Sequence, residues 1–300
     1  MTADTENTLV LYEKPAPKVA RIVLNRAKTA NAQNTDLLYD LNDAFDRAAA
    51  DNDVNVIILA ANGKHFSSGH DVLERDHHDN QERRRPVTTF QQHRRPGAEG
   101  RMSREEELYT GFCERWRNIP KITIAAVQGK CVSGGLLLCW PCDLIVASDD
   151  AEFQEVTVAM GVAGVEWFAH PWEMGVRKAK EMLLTGEPLS ASDALALGMV
   201  NRVVPRAELA DQTLALAQKI AAQPSFAAKM VKQAVNAAQD AQGRNAAFQV
   251  AFALHHLAHS HWMEIYNLPI NPEGIHGSVK KNYAAGEEPF RAPNKETPKP

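Results

Sequence analysis

Two glycine-bearing stretches can bring backbone N–H donors to one point: Phe66-Ser67-Ser68-Gly69-His70-Asp71 and Gly129-Lys130-Cys131-Val132-Ser133-Gly134-Gly135. Each closes an apolar run. Ile57-Ile58-Leu59-Ala60 leads into the first and Ile122-Thr123-Ile124-Ala125-Ala126-Val127 into the second, and both runs read as buried strands ended by glycine. Glycine lets the main chain approach a ligand closely. Leu136-Leu137-Leu138-Cys139 follows Gly134-Gly135 as a first helical turn, whose unpaired N–H groups and dipole favour negative charge. Two such donors aimed at one carbonyl oxygen make an oxyanion hole. A tight strand-to-helix turn alone would account for either stretch; the two together, with their surroundings, favour the chemical reading.

The elements that must position these turns alternate between strand and helix, which predicts an α/β fold. Thr35 to Ala50 carries apolar residues at Leu37, Leu38, Leu41, Ala44, Phe45 and Ala48, a helical period with one buried face. Ser190-Ala191-Ser192-Asp193 opens another helix in the manner of a capping box. After Pro205 the chain turns to alanine-rich helix, in Leu214 to Ala222 and Ala227 to Ala241, and strand signals become scarce. The organisation expected is a core over 1–205, with an insertion at about 74–107, and a helical region over 206–300. Phe290 to Pro300, with three prolines and no apolar period, is expected to be poorly ordered.

From about Val19 to Pro205 the chain resembles the crotonase superfamily, the enoyl-CoA hydratase/isomerase group. Val19-Ala20-Arg21-Ile22-Val23-Leu24-Asn25-Arg26 is similar to the family's opening strand, and Asn31-Ala32 to the turn before its first helix. Phe66 to Asp71 and Ala126 to Asp143 resemble its two oxyanion segments. Leu184-Thr185-Gly186, Ala194 to Gly198 and Val200-Asn201-Arg202-Val203-Val204-Pro205 complete the ordered pattern. The resemblance implies a spiral of repeated ββα units with a C-terminal α-helical trimerisation region, a homotrimer or hexamer, and an acyl-CoA thioester substrate. It makes the backbone N–H groups of His70 and Gly134 the oxyanion donors, and places Arg26, Ser68, Asp71, Val72 and Leu73 on the substrate and coenzyme A side of the first turn. Asp71 is expected to hold that turn rather than to move a proton. Beyond coenzyme A carried by the substrate, no cofactor is implied.

The catalytic carboxylates depart from the family pattern. Hydratases of this group carry one glutamate on the helix after the glycines and a second on the following strand; here Leu137 and Thr157 stand at those positions. Neither side chain is a carboxylate, yet hydration needs one group to activate water and another to protonate the α-carbon. Glu155, two residues before Thr157, shares its face if the segment is extended. Glu166 lies in the following loop, near where isomerases and dehalogenases of the superfamily carry a working aspartate. Glu166 is preferred over Glu155, with His170 a partner if the segment is helical. The implied activity is that of a hydratase/isomerase-type lyase or isomerase that stabilises a thioester enolate. The alternative is a non-catalytic acyl-CoA-binding protein of the same fold.

Three further features are weaker signals. The insertion Glu74 to Glu107, with Arg83-Arg84-Arg85 and Arg94-Arg95, lacks an apolar period and reads either as a solvated loop or as forks for coenzyme A phosphates. Cys139-Trp140-Pro141-Cys142 has the spacing of a redox dithiol but sits at a helix end, so packing is expected. His255, His256, His259 and His261 put two histidines, 255 and 259, one helical turn apart, without an acidic partner of the H-E-x-x-H kind, and no metal is expected. The 300 residues carry a formal charge of −4, giving no general reason for nucleic-acid or membrane binding. With no apolar run of membrane-spanning length and no leader-like N-terminus, a cytoplasmic protein is expected.

Overall fold

The computed structural model describes residues 8–74, 76–88, 92–164 and 166–274. Strands β1 (Val10–Ala16) and β2 (Lys18–Leu24) form an antiparallel hairpin. Helix α1 (Thr35–Ala50) starts where Asn34 accepts the Leu37 N–H on its side-chain oxygen, and buries the apolar face its period predicts. Then come β3 (Val54–Ala61), three short helices α2 (His77–Glu82), α3 (Ala98–Glu105) and α4 (Phe112–Arg117), and β4 (Ile122–Val127). A π-helical stretch, Glu106–Gly111, joins α3 to α4.

From β4 the chain repeats strand, short strand, helix. β5 (Lys130–Val132) and α5 (Gly134–Cys139) complete one unit; β6 (Leu144–Ser148), β7 (Glu152–Gln154) and α6 (His170–Thr185) make the next. β8 (Leu189–Ser190), α7 (Ala191–Ala196) and β9 (Arg202–Val204) follow. Ser190 caps α7 by accepting the Asp193 N–H, as the capping-box pattern predicts. The long strands form one sheet in the order β1-β2-β3-β4-β6-β9, parallel beyond the first hairpin; the short ones form a second sheet, β5-β7-β8.

Parallel strands buried on both faces need covers on both. Ile57 and Leu59 of β3 and Ala125 and Val127 of β4 face the larger core with α1 and α5. Val56, Ile58, Ile124 and Ala126 face the other way, against Leu209, Leu216, Ala217 and Ala221 of α8 (Leu209–Ala221). The alanine-rich chain after Pro205 thus begins with a helix that closes the sheet. Pro205 separates strand-bearing from helical chain, not one core from another. Helices α9 (Ser225–Ala241) and α10 (Arg244–Tyr266) follow. Phe290 to Pro300 lies outside the described residues.

The insertion is helical rather than a plain loop. Arg84 pairs with Asp36 and Asp40 of α1, Arg94 with Asp79 and Glu82, and Arg104 with Glu74. These arginines therefore hold the protein's own carboxylates, which leaves Arg85 and Arg95 as exposed guanidinium groups. Glu107 is fully buried and accepts from Tyr39 Oη at 3.1 Å and from the Val87 and Thr88 N–H groups, fixing the insertion's return limb to α1.

Candidate active site

The two glycine turns meet. Ser67 bridges to Cys131 of β5, and Gln33 bridges to His70. In that second bridge Gln33 donates to the Gly69 carbonyl and accepts from Asp71, so the His70 N–H is not part of the ladder. Gly134 opens α5, where a helix N–H has no intrahelical partner. A Cβ on Gly69, at φ +94°, would lie 2.9 Å from the Val132 carbonyl oxygen and 3.2 Å from the Gly134 nitrogen. Only glycine permits this approach. On the other side a Cβ on Gly134 would fall 2.8 Å from His70 Cε1, so the imidazole rests directly on that glycine. Ser133 adopts φ 45°, ψ −107°, a conformation that costs a non-glycine residue about 1–3 kcal/mol.

Glu155 and Glu166 flank this point. Glu155 is 3% exposed, and its Oε1 accepts from Ser133 Oγ at 2.7 Å and from the Thr157 N–H at 3.2 Å. The segment is not extended as expected. β7 ends at Gln154 and Thr157–Met160 is a 3-10 helix, so it is the bond to Ser133 that directs Glu155. Burial, reinforced by the negative charge of Glu166, pushes the Glu155 carboxyl up to about 7 against the opposing Ser133 hydrogen bond.

Glu166 is 7% exposed and lies between two imidazoles, 3.7 Å from His70 Nε2 and 3.6 Å from His255 Nε2. Burial alone would raise its pKa, but His255 and His70 hold it down at about 2. The His70 ring stacks on Tyr109 from the π-helical stretch, with ring centroids 3.9 Å apart. Neither Tyr109 nor His255 was a candidate beside Glu166 from sequence. Each arrives from a distant element, and only the paired spacing of His255 and His259 gave any signal. Glu166 precedes α6, so it is not one helical turn from His170 within a helix. Burial drives His170 down to about 3, and its ring packs against Trp140 and Phe168 instead.

Leu137 and Thr157 are the residues that the sequence resemblance sets at the glutamate positions of hydratases. Leu137 is core. Thr157 is covered by the loop that carries Glu166: a Cβ on Gly164, at φ +59°, would lie 1.5 Å from Thr157 Oγ1. The loop backbone fills the space a longer side chain would need.

The other sequence-selected residues gather at the first turn. Arg26 Nη1 pairs with Asp71 Oδ2 at 2.9 Å and also donates to the Ala32 carbonyl, so Asp71 holds the turn. Ser68 is exposed, and Val72 and Leu73 are 41% and 47% exposed, forming an open apolar lip beside His70. Cys139 is buried with its Sγ 3.9 Å from that of Cys131, and burial pushes the thiols of Cys139 and Cys142 above their ordinary range, an environment that disfavours the thiolate.

Comparison with known proteins bears on the family and the fold. The family model for enoyl-CoA hydratase/isomerase matches residues 15–268. EchA13 of Mycobacterium tuberculosis, whose name assigns it to the enoyl-CoA hydratases, is 45% identical over 254 residues, which cover 83% of this chain and 79% of that one. A crystal structure of a probable enoyl-CoA hydratase from Mycobacterium smegmatis is 48% identical with a TM-score of 0.78, covering 88% of this chain and 98% of the other. One from Xanthobacter autotrophicus, described as an enoyl-CoA hydratase/isomerase, is 31% identical with a TM-score of 0.74, covering 90% and 91%. With its paired glycine turns and repeated strand-strand-helix units, the chain belongs to the enoyl-CoA hydratase/isomerase family of the crotonase superfamily.

Proposed function

We propose that the protein is an acyl-CoA thioester enzyme that polarises the thioester carbonyl between the His70 and Gly134 N–H groups and transfers protons through Glu155 and Glu166. The observation that carries this reading is the placement of the two carboxylates. Glu155 reaches Ser133, the neighbour of one donor, and Glu166 reaches the side chain of His70, the other. Two N–H donors acting on the oxygen stabilise the enolate that forms when the α-carbon gains or loses a proton. Glu155, titrating near 7, is matched to proton transfer at neutral pH, while Glu166 lies beside two imidazoles as a fixed carboxylate.

Hydration of a conjugated enoyl thioester is the reaction for which both groups have work, one orienting water and one serving the α-carbon. Isomerisation would need Glu155 alone. Arg26, Ser68, Asp71, Val72 and Leu73 would border the thioester and pantetheine, with Val72 and Leu73 offering apolar contact. No cofactor beyond the coenzyme A of the substrate enters this chemistry, and a coenzyme A thioester accords with a cytoplasmic location. Among the described residues no helix is long and apolar enough to cross a membrane. A homotrimer or hexamer is part of the proposal. Val250, Leu254 and Leu257 leave an exposed apolar stripe along α10, and Phe226, Val231 and Val235 do the same on α9.

The test is deuterium exchange at the α-carbon of a panel of acyl- and enoyl-CoA thioesters, with wild type, Glu155→Gln and Glu166→Gln. Exchange by wild type that Glu155→Gln abolishes supports the assignment. Acyl-CoA binding without exchange for any thioester would instead establish the non-catalytic alternative, in which Leu137 and Thr157 mark a lost activity.

A further inference from the structure

Behind Glu166, the insertion and the C-terminal helix bring together three groups that are far apart in sequence. Glu105 is the last residue of α3, and His255 and His259 lie one turn apart on α10. His255 Nε2 lies 3.2 Å from Glu105 Oε2, His259 Nε2 lies 3.6 Å from Glu105 Oε1, and the two Nε2 atoms are 2.9 Å apart. Both rings are buried, at 1% and 8% exposure. We propose that Glu105, His255 and His259 form a binding site for a divalent transition-metal cation of the zinc class, which joins the insertion to the C-terminal helix.

Three observations carry this. The first is spacing. Ligand atoms about 2.05 Å from a tetrahedral zinc stand about 3.3 Å from one another; here the two Nε2 atoms are 2.9 Å apart, they lie 3.2 and 3.6 Å from different oxygens of the Glu105 carboxylate, and one ligand atom from each residue fits within 4.8 Å. The second is charge. Glu105 and Glu166 are two largely buried carboxylates, and among the described residues every ion-pair partner of either one is a histidine. Protonated histidines supply the compensating charge in the absence of a cation, and a divalent cation on their Nε2 atoms would supply it in place of those protons. Glu105 Oε2 lies 3.2 Å from the Nε2 atoms of both His255 and His256. The third is support from outside the ligand set. His259 Nδ1 donates to the Pro269 carbonyl, which fixes the tautomer with a free lone pair on Nε2, as metal-bound histidines characteristically do.

Ligation has one local consequence. With a cation on Nε2, the His255 proton resides on Nδ1, which faces the Gly164 N–H at 3.2 Å. Gly164 must therefore shift, and it lies two residues before Glu166. Glu166 itself lies 3.6 Å from the same Nε2, so the cation would adjoin the proposed catalytic carboxylate without depending on its role.

The experiment uses full-length protein expressed without a polyhistidine tag. Metal content is measured by elemental analysis after equilibration with zinc or cobalt(II) and removal of the free ion, for wild type, Glu105→Gln, His259→Gln and, as a surface control, His261→Gln. Expected are about one equivalent per protomer in wild type and His261→Gln and loss in the other two. The cobalt(II) protein should show the visible absorption of a four- or five-coordinate ion. Zinc at a hundredfold excess over its dissociation constant should raise the melting temperature by roughly 5 °C. If wild type takes up no cation and zinc leaves its melting unchanged, the proposal is overturned. The cluster is then a hydrogen-bond chain running from the Gly164 N–H through His255 and His259 to the Pro269 carbonyl. Equal uptake by wild type and His259→Gln, or loss only in His261→Gln, overturns it as well. Should a variant fail to fold, the wild-type stoichiometry and cobalt spectrum still decide. None of these readouts depends on turnover.

Discussion

Glu155→Gln should make the protein more stable at alkaline pH while abolishing proton transfer. Glu155 has a folded pKa of about 7 against an ordinary 4.5, chiefly because it is buried. Between those values the folded state keeps a proton that the unfolded chain has lost. The resulting contribution to stability is complete below about 4.5 and is lost as pH rises through about 7. Integrating the difference in bound protons from pH 5 to pH 8 gives about 2.5 kcal/mol less stability at the higher pH, at about 1.36 kcal/mol per pK unit. Glutamine keeps an acceptor for Ser133 Oγ and the Thr157 N–H and never ionises. Urea denaturation of wild type and variant, at pH 5 and pH 8 and at one protein concentration, reads the quantity directly. All other titrating groups cancel in the comparison. The variant's advantage over wild type should grow by about 2.5 kcal/mol from the lower to the higher pH. If the wild-type-to-variant difference changes by less than about 0.5 kcal/mol, Glu155 ionises as an ordinary carboxylate and the case for it as the neutral-pH proton carrier fails.

Gly69→Ala should lower α-proton exchange by about 10²-fold, the effect of displacing one oxyanion donor, because the new methyl collides with the Val132 carbonyl and pushes the turn away from Gly134. The same change should cost about 1–3 kcal/mol of stability from its positive φ, and an unchanged exchange rate would show that the contact does not position the donor. Leu254→Asp, a charge in the exposed stripe of α10, should reduce the assembly to smaller species by light scattering at micromolar concentration; an unaltered mass would place the subunit contact elsewhere.

Much of this architecture is readable in the sequence because local patterns decide it. The period of α1, the capping residues of α7 and the glycine that ends each apolar strand are signals within a few residues of the structures they cause. The insertion is not readable in that way. Its helices are held by ion pairs such as Arg84 with Asp36 and Arg104 with Glu74, and by the buried Glu107, so no apolar period betrays them. The candidate site was half legible. The meeting of the two glycine turns follows from glycine placement, whereas the orientation of Glu155 depends on one hydroxyl, that of Ser133, and the surroundings of Glu166 on α10 and the π-helical stretch. The histidine spacing on α10 was visible, but Glu105, 150 positions earlier, could be joined to it only by the folded chain.

The close approach of Gly164 to Thr157 also bears on how such a site can change over evolutionary time. A glutamate at position 157 would need an open loop there, and in this chain the loop closes over a short hydroxyl. Restoring glutamate at 157 by a single substitution would collide with the Gly164 backbone, and reopening the loop by itself would displace Glu166. The covered threonine thus couples position 157 to the loop of Glu166, so a carboxylate can enter at 157 only together with a rearrangement of that loop.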